Sequence, residues 1–132
     1  MHIRGVRGAI TVQANREVAI LDATRRLLAE MVRVNDVEPD EIAAIIFTAT
    51  PDLNAAFPAE AARRLGWQSV PLMSATEMAV PGALPRCVRV MMFWNTPRAQ
   101  EQVIHVYLDG AETLRPDLKP QSSGAAPGGG NG

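Results

Sequence analysis

Cysteine is almost missing from this 132-residue chain, since Cys87 stands alone. A disulfide framework and a cysteine-ligated metal centre are therefore excluded. His2 and His105 are the only histidines, too few for a zinc site without acidic help. Lysine occurs once, at Lys119, so the basic residues are otherwise all arginine, and they form no block. With a net charge of −1 and no concentrated basic face, nucleic acid is not an expected partner. No segment approaches the roughly 20 consecutive apolar residues that cross a bilayer. The stretch Met1-His2-Ile3-Arg4-Gly5-Val6-Arg7 carries charges where a signal peptide has an apolar run, so the expected location is the cytoplasm. A glycine-rich phosphate loop, a Gly-x-Ser-x-Gly elbow, a His-Glu-x-x-His pair and a Cys-x-x-Cys pair are all absent.

What is present fits one domain. The chain is 47% hydrophobic and 20% charged, as in an ordinary soluble globular protein. Residues 2–12 alternate as a first strand, with Gly5 and Gly8 bracketing Arg7. Asn15 is placed to cap a helix over 16–34, whose Ile20, Leu21, Thr24, Leu27, Leu28, Met31 and Val34 form one apolar stripe. Residues 42–48 read as a buried strand and 58–65 as a short helix closed by Gly66. A third strand is expected over 68–72, an irregular loop over 73–78, and further strands over 86–94 and 103–108. Thr113 to Arg115 should be extended ahead of Pro116. The fold class is α+β, a mixed sheet with helices on one face. The strands are apolar on both faces, so an oligomer should cover the second one. The folded domain is expected over 1–119, with a flexible Gly/Pro/Ser-rich tail over 120–132.

The strand Arg86-Cys87-Val88-Arg89-Val90-Met91-Met92-Phe93-Trp94 holds the main anomaly. Strand periodicity puts Arg89 on one face with Cys87, Met91 and Phe93. A guanidinium stays charged at neutral pH, and burying it unpaired costs several kcal/mol. Its partner is either a carboxylate of the same chain or an anionic ligand in a cavity. Arg7, Arg63, Arg89 and Arg115, with Glu77 on a loop and Tyr107 on a strand, suit the holding of a small polycarboxylate. This set is poor in nucleophiles and general bases, so any reaction it serves depends on orientation and electrostatics.

Ile3-Arg4-Gly5-Val6-Arg7-Gly8-Ala9-Ile10-Thr11-Val12 resembles the opening of the AroH-class (Bacillus-type) chorismate mutases. Thr48-Ala49-Thr50-Pro51-Asp52-Leu53, Ala56-Phe57-Pro58-Ala59, Val70-Pro71-Leu72, Arg89-Val90-Met91, His105-Val106-Tyr107-Leu108 and Leu114-Arg115-Pro116-Asp117-Leu118 match the family in the same order. The resemblance spans about residues 2–118. It implies a homotrimer built around a barrel-like core of three sheets, with active sites between subunits. It also implies conversion of chorismate to prephenate with no metal or cofactor, in the branch toward phenylalanine and tyrosine. Carried over by motif, Arg89 meets the ether oxygen and Glu77 the ring hydroxyl, while Arg7 and Tyr107 grip carboxylates. Phe57, Leu72, Met73 and Leu114 contribute to the substrate site, the first three as walls. Arg63 and Arg115 stand near its mouth. Ser74 replaces a cysteine of some members, and Glu60 replaces a lysine, which should weaken attraction for a dianion. Two other readings stay open: a trimeric imine deaminase of the Rid family, and a non-catalytic trimer that binds an anionic metabolite and has no need of Glu77.

Overall fold

The structure is a computed structural model that describes residues 1–116. The tail expected at 120–132 and the end of the domain expected at 1–119 lie outside the described residues. Five strands form one sheet: β1 (His2–Thr11), β2 (Ile42–Ala49), β3 (Leu72–Thr76), β4 (Cys87–Thr96) and β5 (Val106–Leu108). Their order is β3-β2-β4-β1-β5. The strand carrying Arg89 is therefore the centre of the sheet, antiparallel to both β1 and β2. Edge strands β3 and β5 run parallel to their neighbours β2 and β1. Helices α1 (Glu17–Asn35) and α2 (Ala59–Arg64) complete the α+β architecture.

The alternation of β4 divides the sheet into two different faces. Val88, Val90, Met92 and Trp94 are buried and join Val6, Ile10, Ile45, Phe47 and the apolar stripe of α1 in the main core. Gly8 lies on this face, where an added Cβ would run into Met31 and Leu27, so its lack of a side chain lets α1 pack close to β1. The opposite face carries Arg7, Ile46, Arg89, Met91 and Phe93, each only partly buried within the single chain. Its apolar members are the surface that the sequence expects an oligomer to cover.

Several local expectations change. Asn15 does not cap α1: Arg16 is the N-cap, without a side-chain bond. The Asn15 amide instead accepts the backbone N–H groups of Asn54 and Ala55, both at 3.0 Å, because two otherwise open loop donors lie within its reach. The third strand starts at Leu72 rather than at 68. Residues before it turn after Gly66, and Pro71 has no N–H to donate but accepts from Ile45 N–H at 2.9 Å. Met73 to Thr76, expected to be irregular, pair with β2. Thr113 and Leu114 belong to a 3-10 turn, Asp109–Leu114, and only Arg115 is extended.

β5 is shorter than the expected 103–108, and side chains continue the ladder along the edge of β1. The Gln100 amide pairs with Gly5 in both directions, accepting its N–H at 3.0 Å and donating to its carbonyl at 2.8 Å. His105 Nδ1 accepts the N–H of Arg7 at 3.0 Å. Asn35, fully buried at the end of α1, accepts Ile104 N–H and donates to Ile104 O, both at 2.8 Å. This contact fixes the chain entering β5 against the helix. Asn35→Ala leaves both Ile104 groups without their partner and should lower stability by about 1–3 kcal/mol, the range for stranded buried polar groups. Urea denaturation monitored by far-ultraviolet dichroism measures it, and an unchanged midpoint would show that water replaces the amide.

Candidate active site

Arg89 is presented by the most constrained strand of the sheet, in register with Ala9 on β1 and Thr48 on β2. Its strand is anchored three and two residues earlier, at Arg86 and Cys87. Arg86 adopts a left-handed conformation (φ 46°), with its N–H donating to both Asp52 oxygens at 3.0 and 3.2 Å. Cys87 N–H donates to Thr50 Oγ1 at 3.0 Å, and the Thr50 hydroxyl donates to Asp52. The Thr50 hydroxyl and the Arg86 N–H hold the Asp52 carboxyl below the ordinary carboxylate range. The Thr50-Pro51-Asp52 motif is thus a clamp on the start of β4.

Glu77 follows β3 and continues its pairing, with its N–H donating to Ala49 O at 2.8 Å. The side chain then crosses to β2 and β4. Thr48 Oγ1 donates to Glu77 Oε2 at 2.7 Å, and Arg89 Nε lies 3.7 Å from the same oxygen. The choice left open for Arg89 has a double answer. It faces a carboxylate of its own chain, and it also lines a cavity of about 240 Å³ with Arg7, Thr48, Glu77 and Tyr107. Tyr107 is buried, and its hydroxyl has no hydrogen-bond partner among the described residues. A buried hydroxyl beside a cationic cavity is suited to an anionic oxygen supplied from outside the chain. Leu114 packs against the small cluster of Ala9, Cys87, Tyr107 and Ala111, and Arg115 follows it half-buried. Burial pushes the Cys87 thiol above its ordinary value, against the opposing influence of Arg89, so it stays protonated and inert.

The remaining expected site residues lie elsewhere on the chain. Phe57 and Ser74 line a separate cavity of about 710 Å³ with Glu60 and Arg64. Arg63 and Leu72 line a third, of about 190 Å³. Phe57 and Met73 are 73% and 66% exposed, large apolar surfaces to leave in water. Glu60 receives Arg63 at 3.1 Å and stands 3.6 Å from Arg64, so its charge is engaged by the arginines of its own helix. The structure thus brings Arg7, Glu77, Arg89 and Tyr107 together and holds Phe57, Arg63 and Ser74 apart from them. Thr48, which lines the first cavity, and His105, which accepts the backbone N–H of Arg7, had no assigned part in the chemistry. Only strand register, which no single residue encodes, reveals Thr48 beside Arg89. Among the described residues no cluster of His, Cys, Asp and Glu could hold a metal, and no helix is long and apolar enough to cross a membrane.

Residues 3–118 match the family model for chorismate mutase type I. The chain is 54% identical to chorismate mutase AroH of Thermus thermophilus, over 89% of this chain and 97% of that protein. It is 47% identical to chorismate mutase AroH of Bacillus subtilis (strain 168), over 89% of this chain and 94% of that protein. A solved chorismate mutase structure from Clostridium thermocellum superposes with a TM-score of 0.82 at 50% identity, covering 83% of this chain and 98% of that one.

The contact between His105 and Arg7 makes stability depend on pH. Nδ1 accepts an N–H only when unprotonated, and burial, then the Arg7 charge, lowers the imidazole below its ordinary 6.5. Between the lowered folded value and 6.5, the unfolded chain binds the extra proton. The contribution is therefore complete above pH 6.5 and is lost as pH falls through the folded value. His105→Gln keeps an acceptor but removes the titration. Its unfolding free energy should vary less with pH below 6.5 than that of the parent, whereas parallel profiles would exclude His105 as the source.

Proposed function

The chain belongs to the type I chorismate mutase family, isomerases that convert chorismate to prephenate, and we propose that it performs this reaction by electrostatic stabilisation at sites shared between copies of the chain. The carrying observation is Arg89 beside Glu77, in one cavity with Arg7 and the buried Tyr107 hydroxyl. In this rearrangement one C–O bond breaks while one C–C bond forms. No proton is transferred and no covalent enzyme intermediate is needed, which suits a site without nucleophiles. Negative charge grows on the ether oxygen as its bond lengthens. The Arg89 guanidinium meets that oxygen, so its attraction is stronger in the transition state than in bound substrate, the condition for accelerating the step.

Glu77 accepts the ring hydroxyl and offsets positive charge spreading over the ring. Arg7 and Tyr107 hold carboxylates. Leu114, packed against the cluster that holds Tyr107, contributes to the substrate site, and Arg115 stands near the mouth. A neighbouring copy supplies Phe57, Leu72 and Met73 as walls, Ser74 as a hydroxyl partner, and Arg63 near the mouth. The separation of the two residue sets, the exposure of Phe57 and Met73, and the half-covered sheet face all support that arrangement. The assembly is a homotrimer acting in the cytoplasm, in aromatic amino-acid biosynthesis, without metal or cofactor. Arg63 is held by Glu60 in the free chain, so a substrate carboxylate must compete with that exposed ion pair.

Loss of chorismate ultraviolet absorbance with purified protein, and identification of prephenate, tests the reaction. Arg89→Ala should turn over at least about 10²-fold more slowly. Normal turnover by a variant of unchanged oligomeric size would remove Arg89 from the mechanism. Arg89→Ala and Arg63→Ala chains, each impaired alone, should regain activity when co-expressed, because some mixed sites collect both intact arginines. If mixing restores nothing, each site belongs to a single chain.

A further inference from the structure

The catalytic glutamate of this reading sits in a poorly supported place. Glu77 leaves the edge strand β3 and is followed by Met78 and Val80, 76% and 55% exposed, so the segment beyond it has little packing to hold it. A carboxylate on such a segment samples several rotamers unless something fixes it. Beside the ion pair with Arg89, three hydrogen bonds engage Glu77: its N–H to Ala49 O, the Met78 N–H to Glu77 Oε1 at 3.2 Å, and the Thr48 hydroxyl to Oε2 at 2.7 Å. The first two hold the backbone or come from the same segment. Thr48 and Arg89 both tie the carboxylate to the interior of the sheet, Thr48 by a short hydrogen bond and Arg89 by an ion pair at 3.7 Å.

We propose that Thr48 is a positioning residue for Glu77, its hydroxyl fixing the carboxylate over the central strand so that Glu77 and Arg89 face the substrate at a constant separation. The inference rests on the role given to Glu77 above and adds the group that sets its geometry. Thr48 lies on β2, directly opposite Arg89 in the β2–β4 register, so one strand pair locates both ends of the ion pair. Its β-branched side chain has restricted χ1 freedom, which suits it to holding a partner in one place. The direction of the bond is fixed, because an ionised carboxylate only accepts and the hydroxyl must donate. This bond uses one lone pair of Oε2, and the carboxylate retains further acceptor capacity for a ligand hydroxyl.

Thr48→Val preserves shape and strand preference while removing the donor. A hydrogen bond to a charged group is strong enough that kcat should fall about 10-fold or more, with KM changing less than about 3-fold. Thr48→Ser, which restores the hydroxyl, should recover kcat to within about 3-fold of the parent. Thr48→Ala should lose as much as Thr48→Val, which keeps the test open if either variant folds poorly. In a Glu77→Ala background the valine substitution should cost less than about 2-fold, because the group it positions is gone. Full kcat in folded Thr48→Val overturns the proposal, as does a loss of equal size in the Glu77→Ala background. If Glu77→Ala itself keeps full turnover, the role of Glu77 fails first and the positioning role falls with it. An impaired Glu77→Ala with an unimpaired Thr48→Val would sink the Thr48 inference alone.

Discussion

A permanent positive charge on the middle strand of a sheet constrains everything around it. Arg89 cannot shed its proton and cannot be enclosed by Met91, Phe93 and Ile46 without a counter-charge. The chain answers with Glu77, brought from the end of an edge strand across β2 to within 3.7 Å. The pair remains about one-third exposed, and the guanidinium still lines the cavity. A fully enclosed pair would be a structural salt bridge, and a fully exposed one would be screened by solvent. The intermediate burial keeps the charge effective and accessible together.

Around this pair, side chains bonded to backbone do much of the positioning. Asp52 and Thr50 clamp the residues before Arg89, His105 accepts the N–H of Arg7, and Asn35 fixes Ile104 just ahead of β5. Each occurs where a regular ladder stops or a strand is short. A site that accelerates a reaction through prearranged charges needs little reorganisation at the moment of bond breaking. Fixed backbone beside Arg7 and just ahead of Arg89 would serve such a site.

Within the single chain the expected site residues are divided among separate cavities. Arg7, Glu77, Arg89 and Tyr107 share one cavity, whereas Phe57, Arg63 and Ser74 stand at others. The half-covered sheet face and the exposed Phe57 and Met73 are the apolar surfaces that a second copy would bury. Membership of the type I chorismate mutases removes the imine-deaminase alternative, which rested on a shared trimeric architecture. The same kinship speaks against a purely binding role, as does Glu77, which a simple anion trap would leave out.

The sequence by itself determined the elements with strong periodicity, because burial imposes that pattern directly. The stripe of α1, the alternation of β4 and the place of Arg89 on its face follow from spacing alone. The family was legible too, since seven short motifs in one order leave little freedom. The start of β3, the cap of α1 and the turn at Asp109–Leu114 were not legible, because each depends on which distant backbone group needs a partner. Thr48 gave no local signal, as a threonine in an apolar strand ordinarily indicates strand preference. Only the antiparallel register of β2 with β4 places its hydroxyl beside the acid that meets Arg89. Tertiary structure decided the pairing of charges because side chains distant in sequence meet only after the strands have chosen their neighbours.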